Sequence, residues 1–123
     1  MRKVLLDTNF ILSAIKYKID FIEGIQFLGL TPIVPIQVLG ELKKIIESKK
    51  KSQFKENAEL ALKIIKKNKL EEVDIKYNYV DKGIIRYSRL HPEVVVATMD
   101  KELKNKLKSR KLIIRAMKRL ELL

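Results

Sequence analysis

The amino-acid sequence predicts a three-layer α/β/α sandwich with a central parallel sheet, and three observations carry that prediction. Short apolar runs that read as strands recur at residues 3–6, 32–35, 94–97 and 112–114. Between them lie longer segments whose apolar residues recur at helical spacing. Strands that alternate with helices along a chain bury a parallel sheet under helices on both faces. With 123 residues and 46% hydrophobic content there is enough apolar material for one core, so residues 1–123 read as a single domain.

Taken in order, Lys3–Leu6 is the first strand, and Asp7, Thr8 and Asn9 follow it directly. One helical pattern then runs through Ile15 and another through Leu28. Pro32–Pro35 is a strand fenced by prolines. A long amphipathic helix begins near Ile36, with Val38, Leu39, Leu42, Ile45 and Ile46 at helical spacing. Lys49, Lys50, Lys51 and Ser52 read as a turn, and Ala58, Ala61, Leu62 and Ile65 mark the next helix. Glu71–Ile75 is a weakly patterned strand. Val80, Ile84 and Tyr87 mark a helix that Pro92 stops. Val94–Ala97 is β-branched and flanked by turn and capping residues, which makes it a buried strand. Asp100–Ser109 is helical, Leu112–Ile114 is the last strand, and the tail from Ala116 reads as a short helix or a loose end.

Composition narrows the chemistry. There is no cysteine, which excludes disulfides and thiolate metal sites, and a lone His91 excludes a His-rich zinc site and disfavours a Ser-His-Asp triad. Any bound metal must then be held by oxygen ligands, which points to Mg²⁺ or Mn²⁺. The net charge of +12 attracts polyanions and fits a nucleic-acid partner. The competing explanation is a lysine-rich surface of the kind thermophilic chains carry. The opening residues run straight into a strand, leaving no room for a signal peptide, and no apolar stretch reaches transmembrane length. A cytoplasmic protein with no membrane partner is expected.

Open parallel sheets bind ligands just beyond the carboxyl ends of their strands. Asp7 follows the first strand, and Asp100 follows Val94–Ala97 after Thr98 and Met99. Glu41 lies three residues after Val38 and four before Ile45, so it flanks the apolar stripe of its helix, while Lys43, Lys44 and Glu47 face away. Asp81 lies three residues before Ile84 at the start of its own helix, with Asp74 as a rival on the weakly patterned strand. An Asp after a strand is also a common helix N-cap, which explains any one of these acids taken singly. Taken together at ligand-side ends, Asp7, Glu41, Asp81 and Asp100 read instead as one acidic site. Two like charges about 4 Å apart repel by roughly 4 kcal/mol at an effective dielectric near 20. A divalent cation reverses that sign and supplies the water activation that phosphodiester hydrolysis needs.

These residues resemble the PIN domain family of nucleases, in its archaeal and VapC-like branch. Asp7-Thr8-Asn9 is similar to the family's first motif, and Pro35–Leu42 with its Glu41-Leu42 pair to the second. Val80-Asp81-Lys82-Gly83-Ile84 resembles the third, and Val96–Leu103 the fourth. The match covers nearly the whole chain in the family's order. It implies a doubly wound α/β/α sandwich and Mg²⁺ or Mn²⁺ held by Asp7, Asp81 and Asp100, with Glu41 as a ligand or a supporting acid. It also implies cleavage of single-stranded RNA, with Thr8, Asn9 and Thr98 positioning the acids or a water; each threonine also reads as a capping residue. Two departures stand out: Lys82 occupies a position where close relatives often carry a second acid, and Met99 replaces a residue that is usually small or polar.

Two roles fit such an endoribonuclease, processing of RNA and the toxin of a toxin–antitoxin pair, the second bringing a small antitoxin as partner. Relatives of this fold often pair through helices, and a homodimer of that kind would align two acidic crevices. The alternative is a basic module that binds single-stranded or structured RNA with an inactive metal site. A haloacid-dehalogenase-type phosphatase needs Asp-x-Asp after the first strand, and Asn9 stands at the second position. Tyr77, Tyr79 and Tyr87 are candidates for stacking on unpaired bases, with packing preferred for Tyr87. His91, next to Pro92, reads as a cap or surface residue. From Lys101 onward nine Lys and Arg face two acids, a run that suits either a phosphate track or a solvated face.

Overall fold

The computed structural model describes residues 2–49 and 52–123. The expected turn at Lys49–Ser52 falls partly outside the described residues, because Lys50 and Lys51 are not among them. The strands are β1 (Arg2–Leu6), β2 (Leu30–Pro35), β3 (Glu71–Val73), β4 (Val95–Ala97), β5 (Lys111–Arg115) and β6 (Arg119–Leu122). The helices are α1 (Thr8–Lys16), α2 (Phe21–Phe27), α3 (Ile36–Glu47), α4 (Gln53–Lys67), α5 (Val80–Leu90) and α6 (Lys101–Lys106). Together they form a six-stranded sheet flanked by helices, in the order β3-β2-β1-β4-β5-β6.

The first five strands are parallel, as an alternating α/β pattern dictates. β1 lies between β2 and β4, and its residues Val4, Leu5 and Leu6 are fully buried. From β1 the chain winds outward through β2 to β3, then returns to β4 on the other side of β1. The strand order therefore reverses between β1 and β4, and an open sheet of this kind leaves a crevice outside the carboxyl ends of those two strands. Leu6 pairs with Ala97, so Asp7 and Thr98 leave adjacent strand ends together. The Asp7 N–H donates to the Ala97 carbonyl at 3.0 Å and extends that register one step further.

The sheet is mixed rather than purely parallel. The tail expected to be a short helix or loose instead forms β6, antiparallel to β5 at the sheet's edge. Ala116 and Met117 both take positive φ, 55° and 56°, and the Lys118 N–H closes the turn on the Arg115 carbonyl at 3.1 Å. Such turns normally carry Asn or Gly, and neither is present, so the sequence gives no hairpin signal. α2 lies close against this strand: a Cβ on Gly24 would fall 2.7 Å from Leu120 Cδ1.

α6 is also shorter than the expected Asp100–Ser109. It ends at Lys106, where Leu107 turns extended (φ −94°, ψ 134°) and is buried. The Lys111 ammonium then takes up the carbonyls of Leu107 and Ser109 at 2.8 and 2.9 Å. No helix among the described residues is long and apolar enough to cross a membrane.

Candidate active site

Asp7 is the N-cap of α1 and is 3% exposed. Its Oδ1 accepts from the Thr8 N–H at 2.8 Å and its Oδ2 from the Thr98 hydroxyl at 2.7 Å. The N-cap reading of the sequence is thus correct locally, but the second bond reaches across to the end of β4. Asn9 completes the link. Its Oδ1 accepts from the Met99 N–H at 2.9 Å and lies 3.3 Å from the Thr98 hydroxyl. Thr98, itself fully buried, receives the Asp100 N–H on its Oγ1 at 3.1 Å. Asp100 caps α6 by accepting from the Leu103 N–H at 3.0 Å. One network therefore fixes Asp7, Asn9, Thr98 and Asp100 against each other.

Glu41 and Asp81 approach from helices. Glu41 is exposed on α3 and accepts a short hydrogen bond from the Thr8 hydroxyl. Lys44, three residues further along α3, forms no ion pair with it among the described residues. Asp81 sits in the first turn of α5, half-buried. α5 is pressed against the preceding loop: a Cβ on Gly83 would lie 2.5 Å from Ile75 Cδ1.

Electrostatics tie these acids together. Burial pushes the Asp7 carboxyl up to about 6, against hydrogen bonds from Thr98 and Thr8 that lower it; the charges of Asp81 and Glu41 push it further up. The Asp81 carboxyl is also raised, first by burial, then by Asp100 and Glu102, with Lys106 opposing. In a chain with 27 Lys and Arg, none of the four acids has a basic side chain within ion-pair distance among the described residues. Asp74, the rival of Asp81, lies apart on an exposed loop. Its carboxyl is lowered, first by the hydrogen bond from Gln37 Nε2 at 2.7 Å and then by the Lys76 N–H.

The crevice opens into a groove of about 960 Å³. Asp7, Thr8, Asn9, Gln37, Glu41 and Asp81 line it at one end, and Leu12, Lys16, Lys44, Ile45, Phe54 and Asn57 at the other. Asp100 is not among the lining residues and acts beside the groove through its charge on Asp81. Among the described residues no three acids stand close enough to enclose one ion. The single crevice of four converging carboxylates expected from the sequence is therefore realised as three acids in the groove and a fourth adjoining it.

Sequence reasoning had turned Lys44 away from the site, yet it lines the groove, because the stripe Gln37, Glu41, Lys44 and Ile45 shares one side of α3. That helical spacing was the available signal. Phe54 and Asn57 carried none, since their place depends on α4 crossing α1 and α3. Tyr87 packs on the core and against the His91 ring, centroids 4.3 Å apart, while Tyr77 and Tyr79 are exposed. His91 caps α5 as expected.

The sequence model of the family described as "PIN like domain" matches residues 4–119. "Ribonuclease VapC4" of Methanocaldococcus jannaschii is 39% identical, over 87% of this chain and 83% of its own. Among solved structures, that of the PIN domain endonuclease Utp24 superposes with a TM-score of 0.79 at 26% identity, covering 98% of this chain and 90% of the other. VapBC2 from Rickettsia felis, solved bound to a DNA fragment from their promoter, gives 0.62 at 19% identity over 89% of this chain and 98% of the other, a likeness of fold. The match over nearly all of the sequence, the mixed sheet with its crevice between β1 and β4, and the 39% identity agree: this chain belongs to the PIN-like domain family.

Proposed function

We propose that this protein is a divalent-metal-dependent endoribonuclease that hydrolyses phosphodiester bonds in single-stranded RNA. Mg²⁺ or Mn²⁺ would be held by Asp7, Asp81 and Asp100, with Glu41 as a further ligand or a supporting acid. The observation that carries this reading is Asp7: an almost fully buried carboxyl with like charges around it and no basic partner among the described residues. A buried charge of that kind is expensive unless something positive meets it.

The donor set fits a hard cation chemically, since it offers only carboxylate and neutral oxygens. Among the described residues no three acids enclose one ion, and Mg²⁺ does not require such a cage, since it is usually held by one or two carboxylates and keeps several waters. When bound, the cation would supply the positive charge that activates water and stabilises charge building on the phosphate. The chain's own residues do the positioning. Thr98 and the Thr8 N–H hold the Asp7 carboxylate by both oxygens. Asn9 pins the Thr98–Asp100 segment to α1, and Thr8 orients Glu41. The basic remainder of the chain attracts the RNA backbone.

Support also comes from the relatives, one named a ribonuclease at 39% identity and one an endonuclease at 26%. By the first name we place the protein with the toxins of toxin–antitoxin pairs rather than with RNA-processing enzymes. Its partners on this reading are unpaired RNA and a small antitoxin. It acts in the cytoplasm, and a homodimer would set two grooves side by side. A second reading, a basic RNA-binding module with an inactive site, is favoured by Lys82, which stands where close relatives often carry a second acid.

The test is cleavage. Purified protein should cut unpaired RNA with Mn²⁺ or Mg²⁺ and stop on addition of chelator, and Asp7→Asn should reduce cutting to background while RNA binding persists. Undiminished cutting by that variant would remove Asp7 from the site. Binding without cutting in the wild type would favour the inactive module.

A further inference from the structure

The groove is chemically divided along its length. At one end stand Asp7, Glu41 and Asp81; at the other, Leu12, Ile45 and Phe54 form an apolar floor flanked by Lys16, Lys44 and Asn57. The division follows from helix direction. α1 runs from Thr8 to Lys16 and α3 from Ile36 to Glu47, both starting at the acid end. α4 packs across the two of them and closes the far end with Phe54, in its first turn. Phe54 is 54% exposed and is the aromatic side chain that lines the groove. Asn57, one helical turn on, accepts from Gln53 Nε2 at 3.0 Å through its Oδ1, which turns its amide N–H donors to other partners. Neither Lys16 nor Lys44 has an acid within ion-pair distance among the described residues.

An open aromatic face, a free amide and two cations with no acidic partner among the described residues, Lys16 lying 5.5 Å from the Tyr17 ring centroid, suit an unpaired nucleotide. Its base stacks, its edge accepts hydrogen bonds, and its phosphates meet positive charge. We propose that Phe54 is the stacking platform of a nucleotide subsite, which holds one unpaired RNA base beside the scissile phosphate, with Asn57 at the base edge and Lys16 and Lys44 on the backbone. The inference rests on the nuclease reading for its substrate class. It goes further in naming the residues that select unpaired RNA: a base locked in a duplex presents no face to Phe54.

The chain contains no tryptophan. Phe54→Trp in an Asp7→Asn background, without divalent metal, therefore gives a single tryptophan at the subsite, excited selectively over the tyrosines at the red edge of its absorption. Titration with a short unpaired oligoribonucleotide should quench its emission saturably, and the same sequence annealed into a duplex should not. In the otherwise wild-type protein, Phe54→Ala should raise KM for unpaired RNA by about 5- to 100-fold and leave kcat nearly unchanged, the range that base–aromatic stacking supports. An RNA with one abasic nucleotide at the stacked position should lose the same factor and show no further loss with Phe54→Ala. Equal KM in the Phe54→Ala protein, or unchanged tryptophan emission once anisotropy shows the RNA bound, overturns the subsite. Equal quenching by the duplex overturns it too. If the wild type fails to cleave yet the tryptophan responds to unpaired RNA, the nuclease reading falls and the subsite stands. If it cleaves and Phe54 is silent, the reverse holds.

Discussion

The two walls of the acid end are built differently. On the sheet side, Asp7, Asn9, Thr98 and Asp100 share one hydrogen-bonded network that spans the ends of β1 and β4. Asp7 is anchored through both carboxylate oxygens and is nearly out of reach of water. On the helix side, Glu41 accepts from the Thr8 hydroxyl, and Asp81, with no hydrogen-bond partner for its side chain among the described residues, is held through the packing of its helix on Ile75. One wall is pre-organised and carries electrostatic strain; the other is free to adjust. Acids set at different rigidity suit a site that closes on a cation and a phosphate, because the fixed wall sets the geometry and the mobile one completes it.

The largest effect should come from relieving the fixed wall. The folded Asp7 carboxyl titrates near 6, above its ordinary 3.8, so between those values the folded state binds more protons than the unfolded one. Stability contributed by this group therefore falls as pH rises from about 4 to about 6 and stays low above that. The upper size of the loss is about 3 kcal/mol. Asp7→Asn removes the penalty and keeps the geometry, since an amide oxygen still accepts from Thr8 and the Thr98 hydroxyl can turn to Asn9. Urea unfolding without divalent metal should show Asp7→Asn more stable than wild type at pH 7 by up to about 3 kcal/mol, and nearly equal to it at pH 4. A difference that stays constant between the two pH values would falsify the buried-charge account. Adding Mn²⁺ should narrow the gap at pH 7 by stabilising the wild type.

The helix wall should break through packing instead. Gly83 lies two residues after Asp81, and a Cβ there would meet Ile75 Cδ1 at 2.5 Å and Cγ1 at 2.6 Å. Helix propensity alone favours Ala over Gly by about 1 kcal/mol, but overpacking of this kind costs about 1–3 kcal/mol. Gly83→Ala should give a net loss of up to about 2 kcal/mol, with a fall in cleavage as the start of α5 shifts and carries Asp81 with it. Adding Ile75→Val, which deletes the nearest carbon but keeps Cγ1, should restore a part of both. Thermal melts and initial rates on the single and double variants check this. A double variant no better than the single would place the damage elsewhere.

The difference between the walls also explains what the sequence made legible. The fixed wall was readable: an apolar run followed by Asp7 and a β-branched run followed by Thr98 and Asp100 mark strand ends, and ligand-side strand ends are where such sheets bind. Glu41 and Asp81 are readable by helical arithmetic, and the same arithmetic on α3 places Lys44 beside Glu41; Phe54 and Asn57 are not readable, because their position depends on how α4 crosses α1 and α3. Asp74 and Asp81 looked alike in one dimension; the bond from Gln37 that holds Asp74 on an outer loop is a tertiary fact. β6 was missed for a local reason. Ala116 and Met117 adopt a left-handed turn without the glycine or asparagine that would announce it. The pairing of Ile114 with Leu120, and the Arg115–Glu121 ion pair on the same hairpin, hold it in place.

The smallest effect should come from the direct bond between the walls. The Thr8 hydroxyl donates to Glu41 at the exposed mouth of the groove. An exposed hydrogen bond of this kind is replaced by water when lost, so Thr8→Val should change stability by no more than about 0.5 kcal/mol. Its effect on function should differ in kind from that of Asp7→Asn. If Glu41 serves as an adjustable acid, freeing it from Thr8 should lower kcat several-fold while KM and metal requirement stay the same. If the two walls were instead one rigid cluster, Thr8→Val would weaken metal activation as strongly as removal of Glu41 itself. Titrating Mn²⁺ against initial rate for Thr8→Val and Glu41→Gln separates these outcomes. Coincident curves would mean that Thr8 is as much part of the fixed wall as Asn9 and Thr98, and that the adjustable side of the groove reduces to Asp81 alone.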